Sequence, residues 1–351
     1  MAAGLLVWFA HNVGVNLAAR SMAVDFGFLG QRAGFDIPFR LVDWDGSFSY
    51  GRALFVAGVN TLFAAALIIV LASALGLLLA LMRLSGNPLA AGTARAIIEL
   101  VRNTPQLTQI VFFYFAVLQV LPPMRQSVQV GTSIFLNVRG LYVPAPSGLL
   151  WDWMLGATCI AVLTAAVFWR RIGWQVPRLV VLPPVLVLGV VAAGFTASWD
   201  APALRGFNFT GGLRLPPELL ALTLGIAIYT SAFIAEIVRA AIQGVHSGQP
   251  EAARSLGLSA TQAMFLVVLP QALRILNPPL TSQYLNIIKS TTLGAAIAYP
   301  EILQIFARTV LNQSGRAVEV MTIVLGVFLV VNLLTSAAMN AWNRRLALQG
   351  R

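Results

Sequence analysis

The chain's only lysine, Lys289, stands inside an apolar run, within Asn286-Ile287-Ile288-Lys289-Ser290-Thr291-Thr292. A charge at mid-membrane depth costs about 2.5–3.5 kcal/mol on insertion scales, so it must face protein or water. Near a helix end it can instead reach for the interface. Its ammonium can meet a carboxylate: that of a solute, of another chain, or of Glu301. Ser290 and Thr291 add hydroxyls that suit a polar pathway or close helix packing. A second polar group, Arg102, Asn103, Thr104 and Gln109, surrounds Pro105. Proline disfavours helix at the preceding residue, so a kink or helix start belongs there, carrying either interfacial anchors or a gate. Glu236 and Arg239, three apart, share a helix face and can pair with each other or reach another segment. Phe112 and Tyr114 read as packing residues.

No catalytic set emerges. The chain has no nucleophile beside a base, no paired carboxylates, no H-E-x-x-H and no G-x-x-x-x-G-K-[ST] phosphate loop. His11 and His246 are far apart, and Cys159 has no second cysteine for a disulfide or a metal cluster.

The elements that must position these residues follow from composition. Of 351 residues, 58% are hydrophobic and 10% charged. Soluble domains are about a quarter charged, which excludes a water-soluble globule, and the apolar content excludes disorder. Runs of about 20 apolar residues must be helices, because a bilayer offers no water to backbone groups. Eight runs qualify: 4–19, 55–81, 97–121, 149–168, 179–199, 217–241, 273–298 and 319–342. The first lacks a basic leader and a small-residue cleavage site, and reads as a span rather than a signal peptide. The formal charge of +11, with 22 of 23 basic residues arginine, reads as cytoplasmic loop bias rather than nucleic-acid binding. Arg170, Arg171 and Arg178, and Arg344, Arg345 and Arg351, lack acidic neighbours and place both termini inside. The outside segments are then 20–54, 122–148, 200–216 and 299–318, of which the second and third are Gly/Pro-rich and read as loops rather than domains. There is no internal repeat.

One loop on the inside carries dense local signals, from Gly248 to Pro270. Pro250 suits a first helical position, and Glu251 meets the positive end of the helix dipole. Gly257 can end the helix in a left-handed cap. Ser259 with Gln262 forms a capping box for a second helix, which Pro270 limits. Ala252, Ala253 and Gly257 strip bulk from the surface, so another backbone can come close, although an interfacial loop would look similar.

This loop resembles the cytoplasmic signature of bacterial ABC importer permeases, EAA-x3-G-x9-I-x-LP. Here it reads Glu251-Ala252-Ala253, Gly257, Val267, Leu269 and Pro270, with valine for isoleucine. Ala235-Glu236-Ile237-Val238-Arg239 leading to Gly248-Gln249 is similar to the amino-acid importer subfamily. So are Glu99 to Pro105 with Gln109, Phe112 and Tyr114, and Asn286 to Leu293, although Asn103 replaces a usual glycine and Gln106 a usual leucine. The resemblance covers about 55–121 and 217–343. Gly27-Phe28-Leu29, Gly34-Phe35-Asp36 and the insert at about 149–199 look like the general L-amino-acid type.

The resemblance implies an all-α polytopic fold of about eight spans, the type I importer permease fold, in the bacterial inner membrane. Residues 1–54 would be an N-terminal span and periplasmic segment, 55–343 the transmembrane domain, and 344–351 a cytoplasmic tail. The chain would be a non-catalytic permease for L-amino acids. ATP and magnesium would sit on a separate ATPase, docked through Glu251, Ala252, Ala253, Gly257, Leu258, Ser259, Leu269 and Pro270. Arg102, Asn103, Thr104, Gln109, Asn286, Lys289, Ser290 and Thr291 would line a pathway or gate, with Glu236 and Arg239 a structural ion pair. The other partners would be a second permease, as a sister chain, a periplasmic amino-acid-binding protein and the bilayer. The rival readings are a secondary transporter without ATPase and an ABC permease for another small polar solute.

Overall fold

The computed structural model describes residues 24–147, 198–206 and 208–348, with isolated positions 4, 8, 12 and 15. The runs at 4–19, 149–168 and 179–199 lie almost wholly outside the described residues, as do His11, Cys159, Arg170, Arg171 and Arg178, and so does the count of eight. Two compact units divide the chain: residues 1–116 with 218–351, and residues 117–217.

The larger unit is helical. Its elements are α1 (Tyr50–Leu84), α2 (Pro88–Arg102), α3 (Gln106–Val120), α4 (Pro217–Gln243), α5 (Gly248–Ser255), α6 (Ala260–Ala263), α7 (Leu269–Ser290) and α8 (Ala317–Leu348). Among the described residues, four stretches are long and apolar enough to cross a bilayer: Tyr50–Leu84, Pro217–Gln243, Ala260–Ile297 and Ala317–Ala337. In α1 the buried positions Ala53, Ala57, Asn60, Ala64, Ile68, Ala72, Gly76 and Ala80 recur every three or four residues. Small residues on one stripe let backbones approach where no hydrophobic effect drives helices together. A side chain at Gly76 would lie 2.6 Å from Ile234 of α4, and one at Gly225 of α4 would lie 2.7 Å from Ile110 of α3. The large apolar residues of α1, Phe55, Leu62, Val70 and Leu78, point away from the protein, as lipid-facing residues do.

The expected single span at 97–121 is two helices. They break at Asn103–Pro105, because Pro105 cannot donate into the helix and disfavours helix before it. Gln109 bridges the break: its amide donates to the carbonyls of Val101 (3.0 Å) and Thr104 (3.3 Å).

The expected outside loops at 122–148 and 200–216 also differ. They hold short strands: β1 (Val128–Val130), β2 (Ile134–Asn137), β3 (Gly140–Val143), β4 (Ala145–Ser147), β5 (Ser198–Asp200), β6 (Ala203–Arg205), β7 (Asn208–Thr210) and β8 (Leu213–Leu215). A four-stranded sheet runs β1-β2-β3-β8, with β4-β5 and β6-β7 as separate pairs. The glycines that suggested loops are the turns between these strands, Gly131, Gly206 and Gly211 all having positive φ.

Residues 24–49 pack Phe28, Ile37 and Trp44 into one core with Val56 of α1, Phe306, and Val320 of α8. The chain after α7 tightens into a 3-10 turn, Thr291–Ile297, and reverses at Ala298, whose φ is 58°. Asn60 of α1 holds this reversal, its buried amide donating to the carbonyls of Phe39 (2.8 Å) and Pro300 (3.0 Å). Glu301 is fully buried and accepts from the backbone N–H groups of Leu303 (2.8 Å) and Gln304 (2.6 Å).

Two predictions follow from this reversal. Truncating Asn60 leaves two buried carbonyls unpaired, so Asn60→Ala should cost about 2–4 kcal/mol, read as a lower midpoint of thermal unfolding in detergent. Burial pushes the Glu301 carboxyl up from 4.5 to about 8. A group raised on folding stabilises fully below its unfolded pKa, and that contribution is lost as pH rises through the folded value. The wild-type midpoint should therefore fall between pH 5 and about 8, and Glu301→Gln should flatten that slope.

Candidate functional site

Two features gather the chemistry of the larger unit: the capped helix pair at 248–270 and a polar cavity beside the last turns of α7.

Helix α5 begins at Gly248, so Pro250 occupies its third position rather than its first. The consequence is small, because the first turn's N–H groups lack helical partners anyway. Gly257 adopts φ +85°. Its N–H donates to Arg254 (2.9 Å) and that of Leu258 to Ala253 (3.2 Å), the paired bonds of a Schellman cap. At Ser259 the expected capping box is present: Ser259 N–H donates to Gln262 Oε1 (2.9 Å), and Gln262 N–H to Ser259 Oγ (3.3 Å). Two caps separated only by Leu258 set α5 and α6 at a fixed turn. Ala253 is buried against the protein, while Glu251, Ala252, Gly257, Ser259 and Pro270 are exposed and Leu258 and Leu269 half-buried. Sequence reasoning missed the apolar rim. Leu256 is 84% exposed, on the turn between the two helices, and Phe265 (62%) and Leu266 (65%) are exposed at the start of the bilayer-length stretch Ala260–Ile297. Leu256, between Ser255 and Gly257, was the available signal. Past α6 the backbone widens into a π-turn, Met264–Val268, and passes directly into α7. Gln271 of α7 donates to Gln249 of α5 (3.2 Å), joining the surface helix to the long one.

Glu236 and Arg239 pair at 2.7 Å, and Arg83 at the end of α1 approaches the same carboxylate at 3.9 Å. The pair therefore also ties α4 to α1, an additional partner that spacing alone could not disclose.

The cavity, of about 300 Å³, is lined by Gln106, Tyr229, Thr230, Phe233, Gln283, Asn286, Lys289 and Ser290. Gln106 is fixed by the Ser290 hydroxyl, which donates to its carbonyl oxygen (3.2 Å). Arg102 stacks over the Phe233 ring at 5.1 Å, bringing a second cation to the wall. Thus Asn286, Lys289 and Ser290 come together in one cavity, with Arg102 adjacent. The other expected residues do not line the cavity. Asn103 and Thr104 bond back to the carbonyls of Glu99 (2.7 Å) and Leu100 (2.8 Å). Thr291 is buried and bonds to Ile288 (2.7 Å), and Gln109 is the bridge described above. Lys289 does not pair with Glu301, whose carboxyl group is enclosed and engaged by backbone. The lining residues that sequence reasoning missed include Gln283, one helical turn before Asn286, and Tyr229-Thr230, polar positions inside an apolar span.

Long lipid-facing helices, an exposed double-capped helix pair and a polar cavity held between spans define a multi-pass membrane transport component. Residues 72–348 match the family model of the binding-protein-dependent transport system inner membrane component, and the chain belongs to that family. It is a multi-pass protein of the inner membrane. The chain is 45% identical to the putative amino-acid ABC transporter permease protein YhdX of Escherichia coli, over 99% of this chain and 92% of that one. It is 41% identical to the general L-amino acid transport system permease protein AapQ of Rhizobium johnstonii, over 99% and 90%. The solved structure titled "Crystal structure of an amino acid ABC transporter with histidines" shares the fold. Its TM-score is 0.54 at 22% identity, covering 84% of this chain and 95% of that one.

The caps predict a local effect. Gly257→Val forces a β-branched residue to positive φ, costing about 1–2 kcal/mol, and Ser259→Ala removes a cap worth about 1 kcal/mol. Amide exchange should accelerate across 248–263 in both variants, with the protection of α1 and α4 unchanged.

Proposed function

We propose that the chain is the permease subunit of an ATP-driven importer that carries L-amino acids from the periplasm to the cytoplasm. The observation that carries this reading is the 248–270 element. It is exposed, rigidly capped, rimmed with apolar side chains, and continuous through α7 with the cavity. A surface of this kind suits a groove on a separate ATPase. ATP and magnesium would be held by that partner, since this chain carries no phosphate loop, and the permease itself would be non-catalytic. Glu251 would meet a basic residue of the groove, Ala252 and Gly257 would allow close approach, and Leu256, Phe265 and Leu266 would bury there. Motion of α5 would reach α7 through the Gln249–Gln271 bond and the π-turn.

In the cavity, Lys289, with Arg102 behind Phe233, would meet the carboxylate that every amino acid carries, and Asn286, Ser290 and Gln106 would supply neutral hydrogen bonds. The names of the relatives support an amino-acid cargo over another polar solute. The remaining partners would be a second permease as a sister chain and a periplasmic amino-acid-binding protein, and the positive charge would serve topology and not nucleic-acid binding.

The test is a mild-detergent pull-down from the native host on a C-terminal tag. Wild type should bring down an ATPase and a second permease, whereas Glu251→Lys and Gly257→Asp should lose the ATPase and keep the permease. Recovery of the chain alone, or of the ATPase with both variants, would overturn ATPase coupling and favour a secondary transporter. In vesicles reconstituted with the whole complex, Lys289→Ala should lower amino-acid uptake roughly 10–100-fold, the loss of one charged hydrogen bond of about 1.5–3 kcal/mol. ATPase docking should remain.

A further inference from the structure

The β unit, residues 117–217, has an aromatic core. Phe209 of β7 packs against Phe135 of β2 (4.8 Å between ring centres) and Tyr142 of β3 (4.6 Å). This pins the β6–β7 hairpin to the sheet and gathers three exposed arginines. Arg139, in the β2–β3 turn, donates through Nη1 to Asn208 Oδ1 (2.7 Å). Arg205 stands directly opposite Asn208 in the β6–β7 register. Arg214 of β8 donates through Nε to the Arg139 carbonyl (3.0 Å).

The oxygens that receive the Arg139 and Arg214 bonds are neutral, and no ion pair joins the three to a carboxylate among the described residues. Asp200, the one acidic side chain described in this unit, accepts from Gly212 N–H (3.1 Å). Gathering like charges on adjacent strands is unfavourable in isolation. Here neutral bonds hold two of the guanidiniums in place, so their remaining N–H groups are preset for carboxylates.

We propose that Arg139, Arg205 and Arg214 form a docking surface for an acidic patch on the substrate-binding protein. The proposal rests on the importer reading. The β unit precedes α4 in the chain and α5 follows it. The charge pattern of the sequence makes 122–148 and 200–216 outside segments, which on that reading is the side where the binding protein arrives. An anionic lipid headgroup is the other partner such a face could meet, and the experiment separates the two. Fixed charges on a rim chiefly accelerate encounter and are weakened by salt.

The experiment uses the complete transporter in nanodiscs. The probe is the protein, purified from the host's periplasmic fraction, that raises ATP hydrolysis of the wild-type complex when L-amino acids are present. Arg205→Glu and Arg214→Glu should each raise the half-maximal probe concentration about tenfold at low salt. The difference should shrink at about 0.5 M salt, where the Debye length falls to a few ångströms. Basal hydrolysis without the probe should be unchanged, which guards against misfolding, and Arg205→Lys should retain most of the stimulation. Variants matching wild type at every salt concentration overturn the proposal. So does a defect that follows phosphatidylglycerol content of the nanodisc rather than probe concentration, which would assign the face to lipid. If no periplasmic protein stimulates even the wild type, the importer reading fails and the docking proposal with it.

Discussion

Within a bilayer every backbone N–H and C=O must find its partner inside the protein. The long helices of this chain meet that requirement by themselves, so the interesting positions are those where helices stop. At Asn103–Pro105 the freed carbonyls receive the Gln109 amide. At the reversal after α7, Asn60 donates to two carbonyls and Glu301 accepts two N–H groups. At Gly257–Ser259 a Schellman cap and a capping box serve two helix ends within three residues. Each break is stabilised by specific side chains.

The breaks also organise the functional surface. The cavity lies where α3 begins and α7 ends, so its polar lining comes from helix termini and the half-polar face of α4. A polar group near a terminus can serve a ligand without disturbing a continuous ladder. The capped pair lies at the opposite end of α7, and the π-turn at Met264–Val268 links it to that helix. Gln249–Gln271 spans that link, so a displacement of α5 is not absorbed by the π-turn alone.

Small residues allow this arrangement to be tight. Gly76 and Gly225 admit neighbouring helices to distances at which even a methyl would clash. Sites such as these trade packing freedom for a defined geometry, which a pathway between helices requires. Outside the helices, residues 24–49 and the reversal after α7 share one apolar core with α1 and α8, so that end of the larger unit is closed by side chains rather than by backbone pairing.

Much of the function was legible in the amino-acid sequence. The capped loop could be read residue by residue because caps act over four or five positions: Gly257, Ser259 and Gln262 are local signals. Spans at α1, α4 and α8 were legible because hydropathy is additive along a helix. Lys289, Asn286 and Ser290 were recognisable as polar residues out of place. What was not legible depended on distance in the chain. Asn103, Thr104 and Thr291 have the same composition as pathway residues, yet each satisfies its own helix. The strands at 122–147 and 198–215 looked like loops, because strands of three or four residues are too short to show an alternating pattern. Sequence alone thus determined the membrane class, the main spans and the capped helix pair, since those follow from composition and near-neighbour chemistry. Only tertiary structure decided which polar side chains share a cavity, that Glu301 is enclosed rather than paired with Lys289, and that three arginines meet on one face. Those outcomes depend on helices and strands far apart in the chain being brought within a few ångströms.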